Sequence, residues 1–305
     1  MGAKYYLSTD VGAPVIGYST PGSLIAVLKA CLVDGYGSKA PAGWTMPFTG
    51  TNQAVFRMGG GGLRYLYIND SPTGGYAAPV RAYDTMSGLT TGTGMFPTAA
   101  QVTDTNARWW RAYNTSGTLW AVIATDRYFY LWVGAQYAAI YFFGDPNKLD
   151  PSDSYNTILC VSATASGLTS SQGIGRTQLD LSSFNSGLFA ARSLDQANTS
   201  WANVGLNIDT VKNGGNAIGS GGLSYPNQAD GSIYMGDVWV HESNITIYLR
   251  GVMPELYCPF NGIGTPDFSN FNVITIPSGE LSGRSFLVVA PAVQSNGCAL
   301  FDVTV

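Results

Sequence analysis

Only one stretch of this chain has the 3.6-residue periodicity of a helix, and it lies near the start; from there to residue 305 the sequence is β-type. In residues 21–33, Leu24, Val27, Leu28, Cys31 and Leu32 fall at i, i+3, i+4, i+7 and i+8 and form one apolar face. Thr20 is placed to cap the start, with Pro21 in the first turn, and Asp34-Gly35 to end it. The rest alternates short β-branched and aromatic runs with Gly, Asn, Ser and Thr turns. The expectation is a mainly β protein: β-sandwich-like antiparallel sheets, an N-terminal extended arm and one short α-helix.

The arm comes first. Residues 1–20 carry Gly12, Pro14 and Gly17 between apolar residues, which suits extended chain and not helix. Tyr5, Tyr6, Leu7, Val11, Val15 and Ile16 are costly to leave in water. They are the candidate subunit contacts, with packing on their own subunit as the alternative. Removing residues 1–20 is then expected to leave the β part folded.

Three stretches follow from the pattern: arm and helix at 1–40, a first β region at 41–118, and a second at 119–305. Runs at 44–48, 52–58, 63–70 and 79–83 read as strands, with Gly59-Gly60-Gly61-Gly62 as a hairpin connection. No Gly-Lys-Ser/Thr and no helix follow these glycines, so they are not a phosphate loop. Runs at 108–113, 119–125, 127–134 and 138–143 read as a meander. Run 127–134 is apolar on both faces and predicts a central strand covered on both sides. Of Trp109 and Trp110, strand geometry sends one to a core and one to the opposite face. Residues 165–232 are Ser-, Asn- and Gly-rich and read as a long loop segment with short strands. Further hairpins are expected around His241-Glu242-Ser243 and around Asn296-Gly297.

Several motifs are similar to those of a family of tailed-bacteriophage virion proteins. They are GSLIAVLKACLVDGYGSKAPAGWTMPFTGTNQAVFR at 22–57, YDTMSGLTTGTGMFPTAAQ at 83–101, RWWRAYNTSGTLWAVIATDRYFYLWVG at 108–134, and ELYCPF, FLVVAP and GCALFDVT within 255–304. Residues 164–234 carry no part of the resemblance. It implies a structural component of a phage particle, assembled in the host cytoplasm, with capsid or tail subunits and further copies of itself as partners. Docking on the head as an accessory or decoration protein is the first expectation. A tail or baseplate subunit, or a carbohydrate-binding adhesin of the tail, is the alternative. The motifs are apolar and turn motifs and bring no catalytic residues.

Composition agrees with an assembled protein. Only 11% of residues are charged, against a usual ~25%, while 45% are apolar. That excludes a disordered chain and suggests a surface covered by neighbours, with a neutral Ser-, Thr- and Asn-surfaced β protein as the alternative. The net charge is −4 and the arginines are scattered, which argues against direct nucleic-acid binding. No apolar run approaches ~18 residues and no signal-peptide pattern opens the chain, so no membrane association is expected.

Chemistry finds little support. His241 is the only histidine, and no Gly-x-Ser-x-Gly occurs. Asp126, Asp237, Glu242 and Glu255 lie in aromatic surroundings, and paired-carboxylate chemistry stays open there. Asp145, Asp150 and Asp153 lack the spacing of a calcium loop. Cys31, Cys160, Cys258 and Cys298 lack zinc spacing and read as buried small hydrophobes, with a Cys258–Cys298 disulfide open. The expectation is therefore no enzyme, no cofactor and no metal.

Overall fold

The structure, a computed structural model, describes residues 2–17, 20–71, 77–100, 107–110, 118–134, 139–161, 188–192, 201–208, 235–242, 248–259, 270–289 and 299–304. The chain begins with β1 (Lys4–Leu7) and α1 (Ser23–Lys29), which continues as a π-helical turn over Ala30–Asp34. Then come β2 (Thr45–Gly50), β3 (Gln53–Arg57), β4 (Tyr65–Asn69), β5 (Ala77–Tyr83), β6 (Thr85–Met86), β7 (Gly92–Thr93) and β8 (Arg108–Trp110). The next group is β9 (Leu119–Ala124), β10 (Tyr128–Gly134), β11 (Ala139–Gly144), β12 (Asn147–Lys148), β13 (Ile158–Val161), β14 (Leu188–Arg192) and β15 (Trp201–Ile208). The last strands are β16 (Met235–Glu242), β17 (Tyr248–Pro259), β18 (Val273–Thr275), β19 (Ser285–Val289) and β20 (Ala299–Asp302).

The protein is mainly β, with antiparallel sheets packed in a sandwich-like manner and, among the described residues, a single short helix. A five-stranded sheet runs β2-β3-β4-β5-β8. A 13-stranded sheet runs β1-β9-β10-β11-β13-β14-β15-β16-β17-β20-β19-β18, with β12 beside β17. β10 lies between β9 and β11 and is buried from Tyr128 to Val133. Its odd-numbered face meets the helix and the five-stranded sheet: Phe129 packs edge-on against Trp44 and Trp109, with ring centroids 5.4 and 5.8 Å away. Its even-numbered face meets the far end of its own sheet. There Tyr130 lies 4.8 Å from Phe301 and donates to the Pro254 carbonyl, and Trp132 abuts Phe271. The large sheet thus turns back over itself, and β10 is the middle layer.

The helix presents the expected face: Leu24, Val27, Leu28, Cys31 and Leu32 are all buried. Its cap is not Thr20. Gly22 occupies the cap position in the left-handed region, and the carboxylate of Asp70, at the end of β4, accepts from Leu24 N at 2.9 Å. A negative charge at a helix start is favourable, and this one comes from 46 residues away.

Other differences have equally local causes. Residues 4–7 form a strand of the large sheet, where an arm was expected, because β9 offers a free edge and Tyr6 and Leu7 have a core to enter. The run at 108–110 leaves the meander and pairs with β5, placing Trp109 in the core with its indole N–H donating to Cys160 O at 2.7 Å. The Trp110 side chain lies outside the described ones. The glycine run at 59–62 is a tight seam: Gly59 and Gly60 N–H donate to Asp126 O, and Gly62 N–H donates to Asp145 at 2.6 Å. A Cβ at Gly61, where φ is +62°, would meet the Asp145 carboxylate at 2.3 Å. The islands at Leu188–Arg192 and Trp201–Ile208 are strands, and the rest of 165–232 lies outside the described residues.

Candidate contact surface

The N-terminal segment is held from three directions. Lys4 to Leu7 register against Ala124 to Ala121 of β9. On its other side lies the loop at 36–41, joined by side chains: Tyr6 OH donates to Ala40 O at 2.8 Å and Lys4 Nζ to Pro41 O at 2.6 Å. Lys39 Nζ donates to Tyr5 O and sits 4.2 Å from the centre of the Tyr5 ring. The turn after β1 is organised by Asp10. Its carboxylate accepts from Leu7 N and from Tyr36 OH, each at 2.8 Å, and lies 3.6 Å from Lys39 Nζ. Ser8 exchanges backbone and hydroxyl bonds with Trp120, and Pro14 O accepts from the Trp120 indole at 3.0 Å. Gly37 has φ +54°, and a Cβ there would strike Val11 O at 2.5 Å, so only glycine permits this approach.

This scaffold divides the six candidate contact residues. Tyr6, Leu7 and Ile16 are buried in the subunit's own core, and Tyr5 is half-buried. Val11 and Val15 project outward, 91% and 68% exposed. The result is a tethered apolar tip between two buried anchors. Burial pushes the Tyr6 hydroxyl pKa well up, and burial together with Asp10 does the same for Tyr36. Both therefore stay protonated donors. Burial also raises Cys31, and Cys160 is pushed up to about 12, which leaves both as unreactive thiols.

The groups weighed for chemistry sit on several different elements, and Asp126 and Asp145 flank the same glycine run. Asp126 sits exposed at the β9–β10 turn, Asp237 is exposed on β16, and Glu255 accepts from Tyr128 OH. His241 lies within β16, opposite Gly205 and Leu249, and not at the turn where the sequence places it. Asp145 accepts from Gly62 and Thr157, and Asp150 from Ser152. Asp153 forms a buried forked ion pair with Arg250, at 2.9–3.1 Å, that ties the 150–157 loop to β17. Among the described residues, no three His, Cys, Asp or Glu side chains are placed to hold a metal. No helix among them is long and apolar enough to cross a membrane. Cys298 lies outside the described residues, so the Cys258–Cys298 pairing does too.

Sequence reasoning missed two features here. Asp10 gave no signal as an organiser because its partners, Tyr36 and Lys39, are more than 25 residues away. Gly37 carries no local signal of its role, because what requires a glycine there is Val11 O, which only the fold brings beside it. No protein-family model matches the chain, and no curated protein matches it.

Proposed function

We propose that this chain is a structural subunit of a tailed-phage particle, an accessory or decoration protein on the head, docked through the tip that carries Val11 and Val15. The observation that carries the reading is the tip itself. Two exposed valines are held on a turn braced by Asp10, Tyr36, Lys39 and Trp120. A pre-ordered apolar tip loses little entropy on docking, and each buried valine contributes on the order of 1.5–3 kcal/mol gross. The low charge and the phage-like motifs support the same reading. The hydrogen bond of Tyr128 to Glu255 and the pairing of His241 inside a strand give each of these groups a structural role.

The test is incorporation of the double variant Val11→Ser, Val15→Ser into particles. Its stability should change by no more than about 0.5 kcal/mol, as at other exposed positions. Its incorporation should fall severalfold. Normal incorporation of the folded variant overturns the reading. Copy number separates the locations: many copies on the shell mean decoration, and a few at the tail mean a tail or baseplate subunit.

A further inference from the structure

The sheets end in edges of two kinds. Beside β1 the outer side is closed by the 36–41 loop, with Tyr6 OH on Ala40 O and Lys4 Nζ on Pro41 O. β2 carries Pro47, and its register on β3 shifts between Thr45 and Phe48. Such devices keep a strand edge from pairing with another chain. β18, the last strand of the 13-stranded sheet, has neither. Residues 270–276 read Asn-Phe-Asn-Val-Ile-Thr-Ile, β-branched in the middle and without a charge or a proline. Asn272, Val273 and Thr275 are exposed. Among the described residues, no strand lies on the outer side of β18.

The bonding of β18 to β19 fixes which of its backbone groups face outward. Val288 N–H donates to Asn272 O, and Ile276 N–H to Arg284 O. Val273 stands opposite Leu287 and Thr275 opposite Ser285, whose carbonyl accepts from Val303 on the β20 side. Residues 272, 274 and 276 therefore bond inward, and the N–H and C=O groups of Val273 and Thr275 point away from β19. The Thr275 and Ser285 hydroxyls lie 3.0 Å apart on one face, the face of the 46% exposed Val273. Ile274 lies on the other face, packed against the cluster of Ile276, Phe286, Val288 and Leu300.

We propose that β18 is a pairing edge for a second copy of this chain, joined antiparallel about a two-fold axis at Ile274. In that register Val273 exchanges both backbone bonds with the partner's Thr275, and Thr275 does so with the partner's Val273. Ile274 meets its symmetry mate, and all the cross-strand pairs are β-branched, which favours pairing. The neighbouring registers fail. Centring on Val273 sets Thr275 against Phe271, whose N–H is taken by Val288 O and whose φ is +71°. Centring on Thr275 sets Val273 against Pro277, which has no N–H. An edge that meets itself in one register is self-complementary, as a two-fold contact requires, and that selects a second copy over an unrelated strand. No charge in 270–276 repels the copy. Pro277 ends the pairing, so the contact is far smaller than the ~800 Å² per partner of a standard interface, and the dimer is weak. This edge is separate from the tip of Val11 and Val15 and does not rest on the particle reading.

Sedimentation of the full chain over a wide range of concentration tests this. A dimer should appear as concentration rises. Thr275→Pro removes an outward N–H and leaves the bonds to β19 in place. Symmetry removes that N–H at both pairs, so association should weaken at least tenfold while the melting temperature stays near that of the wild type. Val11→Ser, Val15→Ser should associate normally. A covalent trap gives a second readout. Across a pair of this kind the Cα atoms stand about 4.5 Å apart, within disulfide reach. Under mild oxidation Ile274→Cys should form a disulfide-linked dimer above the wild-type level, and Ser282→Cys, exposed in the turn between β18 and β19, should not. A chain that stays monomeric at every concentration overturns the proposal, as does association that Thr275→Pro leaves unchanged. Loss of the dimer in Val11→Ser, Val15→Ser would move the contact to the tip and also overturns it. Equal cross-linking of Ser282→Cys would mean random collision and does the same. Should Thr275→Pro misfold, the trap decides, and an Ile274→Cys chain that does not cross-link overturns the proposal.

Discussion

β10 and the N-terminal segment are both rich in large apolar side chains, yet they use them oppositely. β10 buries every side chain from Tyr128 to Val133 because a layer covers each of its faces. The N-terminal segment buries Tyr6, Leu7 and Ile16 and leaves Val11 and Val15 in water. Hydrophobicity alone does not distinguish the two. What differs is the number of layers available at each position. Substitutions in β10 should move stability, and substitutions at the tip should move assembly.

The strongest way to break this contrast is to delete residues 1–20. Tyr6, Leu7 and Ile16 together contribute roughly 5–9 kcal/mol of burial at ~1.5–3 each, against a total stability of about 5–15. The deletion also bares the edge of β9. The truncated chain should fail to fold cooperatively in urea titration, contrary to the expectation from sequence. A cooperative transition at the wild-type midpoint would show the segment to be a removable arm after all.

Next in size is Phe129→Ala in the middle layer. It removes a ring packed against Trp44, Trp109 and Phe143 and should cost about 3–5 kcal/mol by denaturant unfolding. A loss below about 1 kcal/mol would mean that β10 is not packed on both faces. Asp70→Ala probes the helix that covers the same layer. It removes the cap on Leu24 N and should cost about 0.5–2 kcal/mol. Thr20→Ala should have a smaller effect, and the reverse order would restore the local cap.

The smallest effect is a pH slope at the clamp between β10 and β17. Burial raises the Glu255 carboxyl above its unfolded value, while the bond from Tyr128 and the charges of Arg127 and Arg284 oppose that rise. The folded chain thus binds this proton more tightly than the unfolded chain. Its contribution to stability is fully present below the ordinary glutamate range and is lost as pH rises through the folded value. Glu255→Gln keeps an acceptor for Tyr128 and should flatten the fall in stability as pH rises above the ordinary glutamate range. An unchanged slope would assign the titration elsewhere.

Periodicity within single elements carried much of this architecture. The helix face of Leu24, Val27, Leu28, Cys31 and Leu32 and the two-sided apolar pattern of β10 depend on neighbours a few residues away, so they are readable in a linear sequence. The β9-β10-β11 meander and the β19–β20 hairpin follow for the same reason. Only the tertiary structure decided that Asp70 caps the helix and that Asp10 organises the tip. It also decided that Trp109 belongs to the other sheet and that Arg250 reaches Asp153. Each of these joins residues 26 to 97 positions apart or redirects a strand to a new partner. A hydrogen bond or an ion pair needs atoms within about 3 Å, and across such separations only the packed chain brings them there.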